Sequence, residues 1–324
     1  MSNYVMTVRA VDGGQFISDV GDTQFLIVSE NQQPSPTHAV TKDLWYAAVL
    51  KDAIWDLNPD HKRGDILFIV HGYNMSEAEV IDRHRLLQRD LTDATFKGCI
   101  VSFDWPSGHN ALAYLEDRHK AKATAMALVS DGIAKLSELQ TPDCPINVHL
   151  LGHSTGAYVL REAFHDADDR QLANSSWIVS QVIFAAGDVS ANSMSASDRG
   201  AESIYHHSVR LTNYSSRHDE VLGISNVKRV GVAPRVGRIG LPSDAPSCAV
   251  NVDCTTYYEA LSVPQSDLIA TDQPSKFVGM QSHSWYFGNR IFAIDLFNVI
   301  IGTDRFVIKT RDKDTHGNLL LKHI

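Results

Sequence analysis

The sequence predicts an α/β fold built on a mostly parallel sheet, and three observations predict it. From about residue 42 onward, apolar β-forming runs alternate with helix-capable stretches, the βαβ pattern of a parallel sheet. Several of those runs stop at short polar or glycine-bearing turns: His71-Gly72, Asp104-Trp105 and Gly187-Asp188. One run, Val148 to Leu151, leads straight into Gly152-His153-Ser154-Thr155-Gly156 and then into the helix-capable Tyr158 to Phe164. Strand, sharp turn and helix together are the context in which G-x-S-x-G exposes a serine hydroxyl at the tip of a strained turn.

The elements follow in order. The first forty residues carry two strand-like runs, Tyr4 to Val11 and Thr23 to Ser29, expected as antiparallel strands, then a polar loop, Glu30 to Thr37. A helix is expected over Lys42 to Trp55. Asp65 to Val70 reads as a buried strand ending at His71-Gly72-Tyr73-Asn74, with a helix from Ser76 to Asp90 behind it. The strand Cys99 to Phe103 ends at Asp104-Trp105-Pro106-Ser107-Gly108. A long helical stretch runs from about Ala111 to Leu139, with Met126, Val129, Ile133 and Leu136 on one face. Beyond the G-x-S-x-G turn and its helix, Ser180 to Ala186 is another buried strand. A weakly patterned segment leads to the strand Ser208 to Tyr214, which is followed by Ser215 to Glu220. Cys248 to Thr255 makes a short strand. The long loop Thr256 to Gln281 is a candidate partial lid, since loops of that length are usually functional or mobile. A helix from Asn289 to Ile301 closes the core, and Arg305 to Ile324 forms a hairpin around Thr315 to Asn318.

The chain has 324 residues, enough for one large core, and a single unit spanning 1–324 with its core over about 65–302 is expected. The net charge of -9 argues against nucleic acid or an anionic membrane surface as the main partner. Four cysteines, Cys99, Cys144, Cys248 and Cys254, are too few for a disulfide scaffold and form no C-x-x-C pair, so reduced thiols are expected. The first residues show no charged-then-apolar leader and no run is apolar enough to span a membrane, which points to a cytoplasmic protein.

Nucleophilic catalysis through a serine needs a base, a group to orient the base, and donors for the oxyanion. Ser154 is the candidate nucleophile. His283 is the candidate base, because it follows the last strand of the parallel set and precedes the closing helix. Other histidines have plainer readings: His153 packs or hydrogen-bonds behind the turn, and His206, His207 and His316 sit at the surface or in turns. Asp219, just past the strand ending near Tyr214, is the candidate acid, and Asp188 is its competitor after the preceding strand. Glu220 is a weaker one. The backbone amides of Thr155 and Tyr73 are the expected oxyanion donors, with Gly72 permitting the turn before Tyr73. Trp105, Tyr257, Tyr258 and Trp285 are candidate pocket residues, each with core packing as the alternative. The chemistry calls for no metal or organic cofactor, and the partner would be a small-molecule ester.

Taken together these residues resemble the α/β-hydrolase superfamily. Within it they are similar to the esterase/lipase-like α/β hydrolases of unknown function called DUF900. The resemblance covers roughly Asp65 to Phe287. It rests on Phe68-Ile69-Val70-His71-Gly72-Tyr73-Asn74, Phe103-Asp104-Trp105-Pro106-Ser107, Tyr114 with Asp117, and Leu151-Gly152-His153-Ser154-Thr155-Gly156. It continues in Ala185-Ala186-Gly187-Asp188-Val189, Ser216-Arg217-His218-Asp219 and Ser282-His283-Ser284-Trp285-Tyr286. Gly187 stands where proline is frequent in that family, and Thr155 where methionine is common. The resemblance implies an α/β-hydrolase fold and ester hydrolysis in the chain order Ser, acid, His. The same catalytic set would serve amides, thioesters or perhydrolysis, and a catalytically silent binding scaffold is the reading from another class.

Overall fold

The computed structural model describes residues 2–56, 63–107, 124–133, 136, 146–169, 177–227, 234–264, 266–273 and 281–324. Its strands are β1 (Ser2–Asp12), β2 (Gln15–Ser29), β3 (Ala39–Val40), β4 (Ile54–Asp56), β5 (Arg63–Val70) and β6 (Cys99–Asp104). They continue as β7 (Ile146–His153), β8 (Val179–Ala185), β9 (Ser208–Ser215), β10 (Ala249–Asp253), β11 (Arg311–Lys313) and β12 (Leu319–Leu321). Among the described residues they form one sheet in the order β11-β12-β10-β9-β8-β7-β5-β6-β1-β2-β3, with β4 paired to β5. Every pairing from β12 across to β1 is parallel. The pairs β1–β2, β2–β3, β11–β12 and β4–β5 are antiparallel.

The central strands read as unbroken apolar runs because both faces of the sheet are covered. Along β5, Ile66, Phe68 and Val70 enter one core with Trp45, Leu160 and Phe164, while Leu67 and Ile69 enter the other with Leu87, Ile183 and Phe292. The helices Lys42–Ala53 and Thr155–Asp169 cover the first face; Glu77–Asp93 and Arg290–Ile300 cover the second. Burying each such side chain contributes roughly 1.5–3 kcal/mol. Helix starts follow local chemistry: Ser76 and Glu79 form a reciprocal capping box, and Asn289 caps the closing helix at the amide of Phe292.

The structure departs from the sequence expectations in five places. The first strand does more than make an antiparallel edge, because β1 pairs in parallel with β6 from Tyr4↔Val101 to Thr7↔Asp104. The helix from Lys42 stops at Ala53, since the next three residues pair with β5. The weakly patterned segment contains a helix, Arg199–His206, capped by Asp198. Its buried side is made of Gly200, Ala201, Ser203 and Ile204, and with Ile204 as the one large apolar side chain among them no apolar periodicity shows.

The stretch Thr256 to Gln281, read as a loop, holds the helices Thr255–Ser262 and Asp267–Asp272; residues 274–280 lie outside the described ones. Helices this short depend on tertiary burial, here of Tyr257 and Leu261, more than on propensity. His207 is not at the surface but stacked on Trp177 at 4.3 Å, with Nδ1 3.0 Å from the Trp177 carbonyl. Of the helix expected over Ala111 to Leu139, residues 124–133 are described and helical, with Val129, Ile133 and Leu136 buried and Met126 half-buried. Cys99, Cys248 and Cys254 are free thiols; Cys144 lies outside the described residues. No helix among the described residues is long and apolar enough to cross a membrane.

Candidate active site

The site lies at the C-terminal ends of β5, β7, β8 and β9. In a parallel sheet this edge gathers the loops that carry chemistry. Ser154 ends β7 with φ of 56°, a left-handed conformation that a serine adopts only under constraint. The turn is held from two sides: Ser154 N donates to the Ala185 carbonyl at 3.1 Å, and its own carbonyl accepts from the amide of Asp188 at 2.9 Å. Two glycines permit the geometry by close approach. A Cβ on Gly152 would lie 2.7 Å from the backbone of Ala157, and one on Gly156 would lie 2.0 Å from the Val70 carbonyl. Asn74 and Ala186, on the loops after β5 and β8, also have positive φ, so three of the four such non-glycine positions among the described residues gather around this edge, the fourth being Thr95 before β6.

Thr155 opens the helix Thr155–Asp169, so its amide is among the first-turn donors with no partner inside the helix. The loop after β5 approaches from the other side. A Cβ on Gly72 would sit 2.7 Å from the Cβ of Ser154, so only glycine lets this loop come so close to the serine. Tyr73, next in the chain, is half-buried. His71 anchors the loop: Nδ1 is 2.8 Å from the Gly72 carbonyl, and Nε2 accepts from the Trp105 amide at 3.0 Å. Trp105 is fully buried, stacked on His71 at 5.4 Å, and its indole N–H donates to the His71 carbonyl at 3.0 Å.

The remaining two candidates meet directly. His283 Nδ1 donates to Asp219 Oδ2 at 2.7 Å, with Asp219 fully buried and His283 6% exposed. The other oxygen of Asp219 accepts from the amide of Leu222 at 2.9 Å, so the carboxylate also caps the helix Glu220–Val227. With Nδ1 occupied as a donor, Nε2 is the nitrogen left to act as a base. The His283 ring lies 4.9 Å from that of His153, the residue before Ser154. Among the described residues no hydrogen bond joins Ser154 Oγ to His283; in unliganded sites such bonds often form only with substrate in place.

Asp188, the competing acid, takes a different partner. Its Oδ1 lies 2.9 Å from Nε of the buried Arg235, and its backbone amide supports the serine turn. The pocket candidates divide as well. Tyr257 and Trp285 are buried in the second core, the Tyr257 hydroxyl bonding Asp272 and Asn289, and Tyr258 alone of the four is half-buried.

Two positions did not stand out in the sequence as parts of this site. Arg83, on the helix after the β5 loop, donates from Nη1 to His153 Nδ1 at 3.2 Å, and His153 Nε2 then donates to the backbone carbonyl of His283 at 3.0 Å. A guanidinium can only donate, so His153 carries its proton on Nε2. Burial pushes His153 well below the ordinary histidine range, and the nearby His283 and Arg83 act in the same direction, which keeps the ring neutral in this relay. Arg9 of β1 is the other; an arginine between Val8 and Ala10 in a strand-like run was the available signal, and the structure buries it.

The search of curated proteins finds no match. Among solved structures, the chain is similar to Aspergillus fumigatus lipase B (13% identity, TM-score 0.35), covering 73% of this chain and 61% of the lipase. It is also similar to a Trichoderma reesei cutinase in complex with a phosphonate inhibitor (12% identity, TM-score 0.30; 80% of this chain, 85% of the cutinase). A metagenomic carboxyl esterase shows 13% identity and a TM-score of 0.32, over 73% of this chain and 74% of the esterase. Likenesses this distant bear on neither activity nor substrate. The family comparison reaches further: the model described as alpha/beta hydrolase of unknown function matches residues 49–273, from the helix before β5 to the end of the helix Asp267–Asp272. The chain belongs to the DUF900 family of α/β hydrolases.

Proposed function

We propose that the protein is a serine hydrolase of uncharged carboxylic esters working through an acyl-enzyme. The observation that carries this reading is the 2.7 Å bond between His283 Nδ1 and Asp219, made beside a serine held at φ of 56°. In the reaction, Ser154 Oγ attacks the ester carbonyl carbon as its proton passes to His283 Nε2. The carbonyl oxygen becomes an oxyanion facing the amides of Thr155 and Tyr73. Asp219 holds the ring and stabilises its charged form. The tetrahedral intermediate collapses, the C–O bond to the alcohol breaks, and the imidazolium returns its proton to the departing alkoxide. Water then repeats the sequence on the acyl-enzyme and releases the acid.

An alkyl fluorophosphonate should label the wild-type protein and not Ser154→Ala. Turnover of short-chain aryl esters should fall by at least about 10⁴-fold in that variant. A panel of esters of graded chain length, run beside amide and thioester analogues, ranks the substrates. Well-folded wild-type protein that neither labels nor turns over any of them would count against the reading and in favour of a silent binding scaffold.

A further inference from the structure

The first forty residues precede the family match, yet β1 reaches the site. Thr7 is level with Asp104 at the end of β6, so Arg9, two residues further and on the same side of the strand, extends past the sheet edge toward the β5 loop. There the Arg9 guanidinium is almost fully enclosed and grips three elements at once. Nε donates to both oxygens of Asp104 at 2.9 Å, Nη2 donates to the Met75 carbonyl at 2.8 Å, and Nη1 lies 3.3 Å from Glu77 Oε1. Asp104 is completed by the Thr7 hydroxyl at 2.8 Å and stands 3.2 Å from His71 Nε2. Ser107 Oγ accepts from the Met75 amide at 3.0 Å. The segment His71 to Glu77, which contains Tyr73, is thus held at its start by the Trp105 amide and indole bonds to His71, and at its end by Arg9 directly.

We infer that Arg9 is a positioning residue for the oxyanion loop, fixing the Tyr73 amide at the distance from Ser154 that a tetrahedral intermediate requires. The inference rests on the esterase reading. Burial alone would raise the Asp104 carboxyl, but the Arg9 cation above all, with the Thr7 hydroxyl beside it, outweighs burial and holds Asp104 below the ordinary carboxylate range. The guanidinium therefore faces a charged partner throughout the working pH range. A lysine would keep the charge and lose the fork that spans Asp104 and Met75 together. The N-terminal hairpin is then part of the reaction's scaffolding, although it lies outside the matched family region.

The test is Arg9→Lys, assayed per mole of Ser154 titrated by fluorophosphonate. The expected result is a kcat for p-nitrophenyl acetate lower by about ten- to hundred-fold, with KM within about threefold, since a displaced donor acts on the transition state rather than on bound substrate. Affinity for an alkyl trifluoromethyl ketone, whose adduct needs the oxyanion donors, should fall in parallel, and affinity for the unreactive methyl ketone should not. Arg311→Lys is the control. Arg311 makes the same two-oxygen grip on Asp295 with Thr310 beside it, and it holds the C-terminal strand β11, so melting temperature should fall while kcat stays unchanged. If Arg9→Lys does not fold, Thr7→Val, which frees one bond to Asp104 and keeps the charge pair, should give the same pattern at a few-fold scale. An active wild type with kcat and ketone affinity unchanged in the folded variant overturns the assignment of Arg9 alone. A wild type that neither labels nor turns over overturns the esterase reading and this assignment with it.

Discussion

Among the described residues, two buried Asp–His pairs stand toward opposite ends of the sheet's parallel strands and invite comparison. At the starting edge, Asp65 Oδ1 lies 3.0 Å from Nε2 of His149, with the ring fully enclosed. At the finishing edge, Asp219 and His283 meet at 2.7 Å. As isolated pairs they are almost the same. What separates them is the backbone that carries them and what each carboxylate has left over. Asp65 and His149 sit on β5 and β7, and Asp65 also bonds the Trp55 indole at 2.8 Å and Asn147 at 3.2 Å, so it ties strands together. Asp219 sits on the loop after β9 and His283 in the short helix Gln281–Ser284, and the imidazole stands against the strained turn that carries Ser154. A carboxylate beside a histidine is therefore no signature of catalysis. Its place at the C-terminal edge, beside the strained turn that carries Ser154, is what makes it the candidate for chemistry.

That contrast breaks if removing charge at the two edges has the same consequence. Asp219→Asn should leave a folded protein and lower turnover by about 10⁴-fold, roughly 5.5 kcal/mol in the barrier, because the amide favours the wrong imidazole tautomer. Steady-state kinetics on an aryl ester, with circular dichroism for the fold, measures it. A third carboxylate sharpens the comparison: Asp188 is at the same edge as Ser154 but faces a guanidinium, which cannot pass a proton. Asp188→Asn should cost about 3–5 kcal/mol of stability by orphaning Arg235, with a far smaller loss of turnover than Asp219→Asn in the molecules that fold. A larger turnover loss at Asp188 than at Asp219 would transfer the acid's role to it. Asp65→Asn should cost about 2–4 kcal/mol in urea unfolding and leave kcat within about twofold, since everything it holds is at the far edge.

Much of this was legible in the sequence, for reasons that differ by residue. The strands β5, β7 and β8 announce themselves because both faces are buried, and the turn around Ser154 because glycines must stand on either side of it. His283 and Asp219 were legible through chain order and their places beyond strand ends. The helix Arg199–His206 was not, because its buried face has Ile204 as its one large apolar side chain, and β1's parallel pairing was not, because local periodicity says nothing about which neighbour a strand takes. Arg9 and Arg83 were hidden for a related reason. Their roles exist only once partners some 66 to 95 residues away in one case, and 70 in the other, have been folded against them.

The smallest effect follows from the pH dependence at the starting edge. Burial alone would raise the Asp65 carboxyl, but the bonds and charge of His149, the Trp55 indole and Arg63 outweigh it, so its folded-state value lies below the ordinary 3.8. The folded protein therefore binds this proton less readily than the unfolded chain does. The stability the group contributes is present above the ordinary value and drains away as pH falls through the lower, folded one. The stability difference between wild type and Asp65→Asn, measured by urea unfolding, should thus stay level from about pH 7 to about pH 5 as far as this carboxyl is concerned, and narrow below that. A difference that widened on acidification would mean that Asp65 is held protonated in the fold, and the contrast between the two edges would then rest on charge state as well as on position.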